Sequence, residues 1–157
     1  MTKEVLVNIS GLQMAVDDLD NEDGPIEVIT PGTYYFKDDT HYIFMEEMVE
    51  GIPGVTKTQI RVKGKEIIEV IKKGISNTHM IFEKNKTNRC FYNTPYGQLN
   101  LGIATGNVLI DETENNINIR ANYSLDVNYD PLAECVIRIN IKPRGSQDFS
   151  IHEKMNF

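Results

Sequence analysis

Residues 116–128 alternate without interruption between wet and dry side chains. The polar set is Asn116, Asn118, Arg120, Asn122, Ser124, Asp126 and Asn128. The set between them is Ile117, Ile119, Ala121, Tyr123, Leu125 and Val127. Successive side chains on a β-strand point to opposite faces, so this period of two specifies a long strand with one solvated and one buried face. Six dry positions in a row need a large apolar surface to cover them, and that requirement sets the fold class.

The same signal recurs along the chain. Val5, Val7 and Ile9 alternate with Leu6, Asn8 and Ser10. In 55–62, Lys57, Gln59 and Arg61 face water, while Thr56, Thr58, Ile60 and Val62 face in. Further strands are expected over 26–36, 41–49, 66–72, 79–83, 87–92, 99–110 and 134–142. Thr30-Pro31-Gly32 reads as a bulge or turn inside the second run. Short polar segments (37–40, 84–86 and 112–115) and Gly64-Lys65 suit hairpin connections. Gly51-Ile52-Pro53-Gly54 bars a helix. Residues 17–24 carry five acids and no base and read as an exposed loop. Over 66–73, the β-branched pairs Ile67-Ile68 and Val70-Ile71 favour strand over helix.

A chain of 157 residues is most simply one domain, expected here to span 1–145 with a peripheral tail over 146–157. A domain of this size buries roughly 68–70% of its unfolded surface and needs no metal or disulfide staple. The formal net charge of −7 argues against nucleic acid and anionic membrane as partners. The first residues lack the apolar run of a secretory signal, and no stretch approaches the roughly 18 apolar residues of a membrane helix. Cys90 and Cys135 sit in no spaced Cys/His motif. A cytoplasmic location with reduced thiols follows as the expectation. Cys135 shares its parity with Ile137, Ile139 and Ile141 and reads as a small core residue. His41, His79 and His152 fit no metal-ligand spacing, so neither metal nor cofactor is expected.

About eight to ten strands joined by hairpin-length connections leave a sandwich or a barrel. Up-and-down order favours closure, because closure removes edge strands. The expected fold is therefore all-β, a single antiparallel up-and-down β-barrel.

Residues 92–99, Tyr-Asn-Thr-Pro-Tyr-Gly-Gln-Leu, followed by Thr105, carry a family resemblance. The chain resembles the YwiB-like family, small bacterial proteins described as calycin-like (lipocalin-like) β-barrels of unknown function. Other matching points are Thr30 and Gly32, the Glu46-Glu47 pair, Thr58 with Ile60 and Val62, Gly74, Met80-x-Phe82 and Tyr123-x-Leu125. Where the family commonly carries Arg-x-Gly, this chain has Lys72-Lys73-Gly74. The charge is kept and the planar bidentate fork is lost. The lipocalin Gly-x-Trp signature is absent, since the chain has no tryptophan.

Candidate chemistry concentrates in a few residues. Glu46 and Glu47 are adjacent on a strand, so one of them faces the barrel interior or its mouth. Lys72 has the parity of Ile68 and Val70 and is expected inward, where it could pair with that acid and anchor a polar head group. A structural ion pair is the plainer reading of the same charges. Tyr42, Phe44, Thr58, Ile60, Met80, Phe82 and Tyr123 complete the expected ligand-facing set. Tyr34, Tyr35, Phe36, Tyr42 and Phe44 read as core or lining rather than a nucleobase platform, because basic residues do not interleave with them along the chain. Thr94-Pro95-Tyr96-Gly97 fits a turn at a barrel end. No nucleophile elbow or phosphate-cradling loop is present, which places enzymatic activity last. The leading expectation is a module that binds a small, partly apolar ligand in the barrel interior or mouth. The alternative is a filled barrel that acts through its surface or as a homodimer.

Overall fold

Ten antiparallel strands, with no helix, account for nearly all of the described residues: β1 (Lys3–Ser10), β2 (Glu27–Lys37), β3 (Thr40–Glu47), β4 (Thr56–Lys63), β5 (Ile67–Lys73), β6 (Thr78–Glu83), β7 (Lys86–Thr94), β8 (Gly97–Glu112), β9 (Ile117–Val127) and β10 (Asp130–Pro143). The computed structural model describes residues 3–11, 27–47, 54–74, 77–94, 97–114 and 116–144, the side chains of Glu27, Val28 and Thr94 excepted. The acidic segment 17–24, Gly51-Ile52-Pro53, Pro95-Tyr96, His152 and the tail 146–157 lie outside the described residues. No helix among the described residues is long and apolar enough to cross a membrane.

The hydrogen-bonded order is β6-β5-β4-β3-β2-β1-β10-β9-β8-β7. Chain neighbours pair, and the first and last strands join through a ladder from Val5↔Pro143 to Ser10↔Arg138. The result is a nearly closed up-and-down barrel. One seam remains, between β6 and β7. The two residues joining these strands bond to their other neighbours instead. Lys84 donates its N–H to the carbonyl of Glu66 (3.0 Å), and Asn85 donates to that of Thr105 (2.9 Å).

Alternation decides what is inside. Ile117, Ile119, Ala121, Tyr123 and Leu125 of β9 are buried in a core with Val5, Val7, Ile43, Ile60, Val70, Met80 and Phe82. Phe82 meets Tyr123 edge-on at 4.9 Å. The Tyr123 hydroxyl donates to the carbonyl of Gly11 at 2.8 Å, giving a buried phenol its partner. The middle of the barrel is thus filled by side chains.

Two local expectations need correction, and β8 adds an irregularity that the pattern did not show. β2 runs through Thr30-Pro31-Gly32 without a turn. Its pairing with β3 stops at Gly32, so Pro31 is paired on one side only, where the missing N–H is tolerated. A Cβ at Gly32 would lie 2.7 Å from the carbonyl oxygen of Phe44, so the glycine permits close approach of β3. β8 carries a bulge between Thr105 and Asn107, which moves the inward parity from Ile103 and Thr105 to Val108. Finally, Tyr42 and Phe44 belong to the outer face. Every residue from Tyr42 to Met45 is apolar, so local pattern could not assign the faces. The register Tyr34↔Ile43 and Gly32↔Met45 puts the odd positions inside.

His41 shares that inward face and is 5% exposed, with its Nδ1 2.7 Å from the Tyr34 hydroxyl. Burial pushes its pKa from 6.5 down to about 4, against the opposing pull of Asp39. A neutral ring with its proton on Nε2 accepts a hydrogen bond from the tyrosine hydroxyl. Between those two pH values the unfolded chain binds a proton that the folded one does not, so stability falls as pH drops through that window. Urea unfolding at neutral pH and near pH 4 should show wild type losing about 2–3 kcal/mol more than His41→Gln. Parallel losses would assign the acid sensitivity to other groups.

Candidate functional site

Register brings one polar row together at the barrel end where β3 leaves and β4 enters. Glu47 lies opposite Thr56, Thr58 lies opposite Lys72, and Lys72 lies opposite Thr78. These positions share the inward face with Ile60, Val70 and Met80, which form the next row deeper. Lys72 Nζ sits 3.9 Å from Glu47 Oε2, with the side chains 18% and 22% exposed. Glu47 is thus the inward member of the acid pair, and Glu46 is exposed on the outer face. At 3.9 Å the contact is an ion pair too long for a hydrogen bond. On either side of Lys72, the hydroxyls of Thr58 and Thr78 are buried and have no hydrogen-bonding partner among the described residues. Such groups carry a desolvation cost of about 1–3 kcal/mol unless something pairs with them.

The seam opens beside this row. A cavity of about 450 Å³ is lined by Ile71, Lys72, Lys73, Asn77, Thr78, His79, Cys90 and Phe91. Phe91 is 58% exposed. Burial pushes the Cys90 thiol above its ordinary range, with Arg89 opposing, so it stays protonated and weakly nucleophilic. The same holds for Cys135, raised chiefly by burial.

The outer face of β2 to β5 carries a second concavity, a groove of about 660 Å³. Phe44, Gln59 and Ile71 form one cross-strand row in it, and Glu46, Lys57 and Lys73 form the next. Tyr35 stacks on Tyr42 at 4.7 Å and on Phe44 at 5.8 Å.

Of the expected ligand-facing residues, Glu47, Thr58 and Lys72 meet at the mouth. Ile60, Met80 and Phe82 are completely buried beneath it and Tyr123 is 2% exposed, all four packed in the core. Tyr42, Phe44 and Glu46 lie outside. Thr78 was not singled out from the sequence, although its parity with Met80 and Phe82 carried the signal. Lys57 and Lys73 were recognisable as solvated, but their juxtaposition depends on the β4–β5 register.

Two polar clusters on the outer face are held by mutual contacts, with only Arg61 Nε among their charged groups buried and without a hydrogen-bonding partner among the described residues. Glu69 is 7% exposed and is held by Lys63 (2.6 Å), His79 (3.1 Å) and Arg61 (3.8 Å). Burial alone would raise its carboxyl, and the bonds from Lys63 and His79 bring it below the usual value. Arg89 grips Asp126 through two N–H groups (2.6 and 3.1 Å), reaches Asn100 (2.7 Å) and stacks 3.9 Å from the Tyr129 ring. Those bonds from Arg89 hold Asp126 below its ordinary value. A Cβ at Gly102 would collide with both side chains of the clamp. No cluster of metal-ligating side chains occurs among the described residues.

The architecture is that of an all-β up-and-down barrel with a polar mouth beside an open seam. The chain belongs to the DUF1934 family, a domain of unknown function, whose pattern matches residues 8–139. Its fold is similar to the crystal structure of the ywiB protein from Bacillus subtilis, at 18% identity and a TM-score of 0.67, covering 92% of this chain and 94% of that one. Likeness at that identity speaks to the fold alone. Among curated proteins there is no match.

Lys72→Met keeps the stem and removes the charge, leaving Glu47 without its cation. Between the small effect of exposed pairs and the larger one of buried pairs, this should cost about 1–2 kcal/mol. Lys73→Met, on the exposed outer face, should change stability by less than about 0.5 kcal/mol. Chemical denaturation of both variants at neutral pH measures the difference. Equal effects would mean that the mouth pair contributes nothing.

Proposed function

We propose that the protein is a small-molecule binding module that accepts an anionic, partly apolar ligand at the mouth of its barrel. The observation that carries this reading is the row Thr58–Lys72–Thr78, a part-buried ammonium flanked by two buried hydroxyls that no described residue satisfies. A carboxylate or similar head group could accept from Lys72 and from both threonines, with charge-assisted bonds stronger than neutral ones. The Lys72–Glu47 contact is loose enough at 3.9 Å for the ammonium to take a second partner. The adjoining cavity of about 450 Å³ lies within the range of small-ligand sites. Ile71 and Phe91 offer apolar surface to a ligand tail. The filled middle of the barrel moves the expected position from the interior to the mouth, and Glu47 favours head groups of a single negative charge.

Amide chemical shifts in a titration with octanoate test this reading. Octanoate should shift Thr58, Lys72 and Thr78 and saturate, and octylamine should not. Lys72→Met should weaken octanoate binding about tenfold, the scale of one lost charge-assisted bond. Arg138→Gln, on a distant outer surface, should leave it unchanged. Equal responses to octanoate and octylamine, or shifts elsewhere, would contradict the assignment.

A further inference from the structure

The outer groove on β2 to β5 adjoins the mouth cavity, with Ile71 and Lys73 lining both, but Lys57, Phe44 and Glu46 give it its own chemistry. Lys57 and Lys73 stand directly opposite each other in the β4–β5 ladder. Like charges in that position destabilise a sheet. Both are exposed, and neither forms an ion pair with any described residue. In a chain of net charge −7, an unpartnered lysine pair is a local reversal of sign. Two residues along the strand, a spacing of about 7 Å, lies the row of Phe44. Phe44 is 36% exposed and backed by the Tyr35–Tyr42 stack, so a flat aromatic platform stands beside the two cations. Gln59, opposite Phe44, offers an amide donor and acceptor. Glu46, opposite Lys57, offers a carboxylate acceptor.

A planar ring and an anionic group separated by one strand repeat are features of a nucleoside phosphate. We infer that this groove is a nucleotide-binding site, with the base stacked on Phe44 and the phosphate held between Lys57 and Lys73. Base-on-aromatic stacking contributes about 1–3 kcal/mol and tolerates any base. The Glu46 carboxylate can accept from ribose hydroxyls, and its charge limits the site to one or two phosphates rather than a polyanion. A groove of about 660 Å³ is large enough for a mononucleotide. The basic residues that do not interleave with the aromatics along the chain are supplied laterally, by β4 and β5.

The test is a titration of the full-length protein with adenosine 5′-monophosphate, followed by amide shifts and calorimetry. Binding should saturate in the millimolar range or below, with shifts centred on β3, β4 and β5. Adenosine and ribose 5-phosphate, each lacking one half of the recognition, should bind at least about tenfold more weakly. Phe44→Leu should weaken binding about tenfold through lost stacking. Lys57→Gln and Lys73→Gln should each weaken it about fivefold and steepen no other response. Arg138→Gln removes the same charge from another outer surface and should have no effect. Three results would overturn the inference: no saturation by about 10 mM, inorganic phosphate binding as well as the nucleotide, or equal losses in all three charge variants. A short single-stranded oligonucleotide that bound far more tightly than the mononucleotide would also overturn it, in favour of a nucleic-acid surface. The two sites are told apart by their variants: Lys72→Met should weaken octanoate and Phe44→Leu the nucleotide, so either site can fail alone.

Discussion

The ladder between the first and last strands decides the shape of this protein. Without Val5↔Pro143 to Ser10↔Arg138, the strands would fall into two separate meanders, β1 to β6 and β7 to β10. With it they form one sheet whose edges are β6 and β7, strands adjacent in sequence and separated by only Lys84 and Asn85. Pairing those two as an ordinary hairpin would complete the circle. Instead each linking residue bonds outward, to β5 and to β8, and the strands part. The barrel exchanges a single hairpin for a lateral opening, and the polar mouth row lies beside it.

That exchange has an energetic logic. Deep in the barrel, Ile60, Val70 and Met80 are fully buried and provide stability through apolar area. One row outward the side chains become Thr58, Lys72 and Thr78, and hydroxyls without partners among the described residues appear. Buried polar groups are usually paired, so unpaired ones beside a cavity mark a place where stability has been given up. In the outer clusters the central charges, Glu69 and Arg89, are each held by several partners. The contrast separates charges that hold the sheet together from charges available to a ligand.

Much of the fold was legible because alternation is local. β9 could be read residue by residue, since its wet and dry positions never overlap. The inward setting of Lys72 followed from its parity with Ile68 and Val70 in the same way, and Glu47 is the acid that meets it. Alternation failed where both faces are apolar, as at Tyr42 to Met45, and where a bulge resets the phase, as at Gly106 in β8. The seam was not legible at all. The residues 84–86 look like any polar hairpin connection, and only the competition for their backbone groups reveals the break. The outer groove was hidden for a related reason, because its lysines come from strands far along the chain from Phe44.

Backbone amide hydrogen exchange tests the central claim most directly, that the barrel is closed by its termini and open between β6 and β7. Slow exchange is expected on both sides of the β1–β10 ladder, comparable with the centre of β9. The amides of β6 and β7 that face each other should exchange much faster than those bonded to β5 and β8. Protected amides across β6 and β7, together with rapid exchange between β1 and β10, would contradict the account.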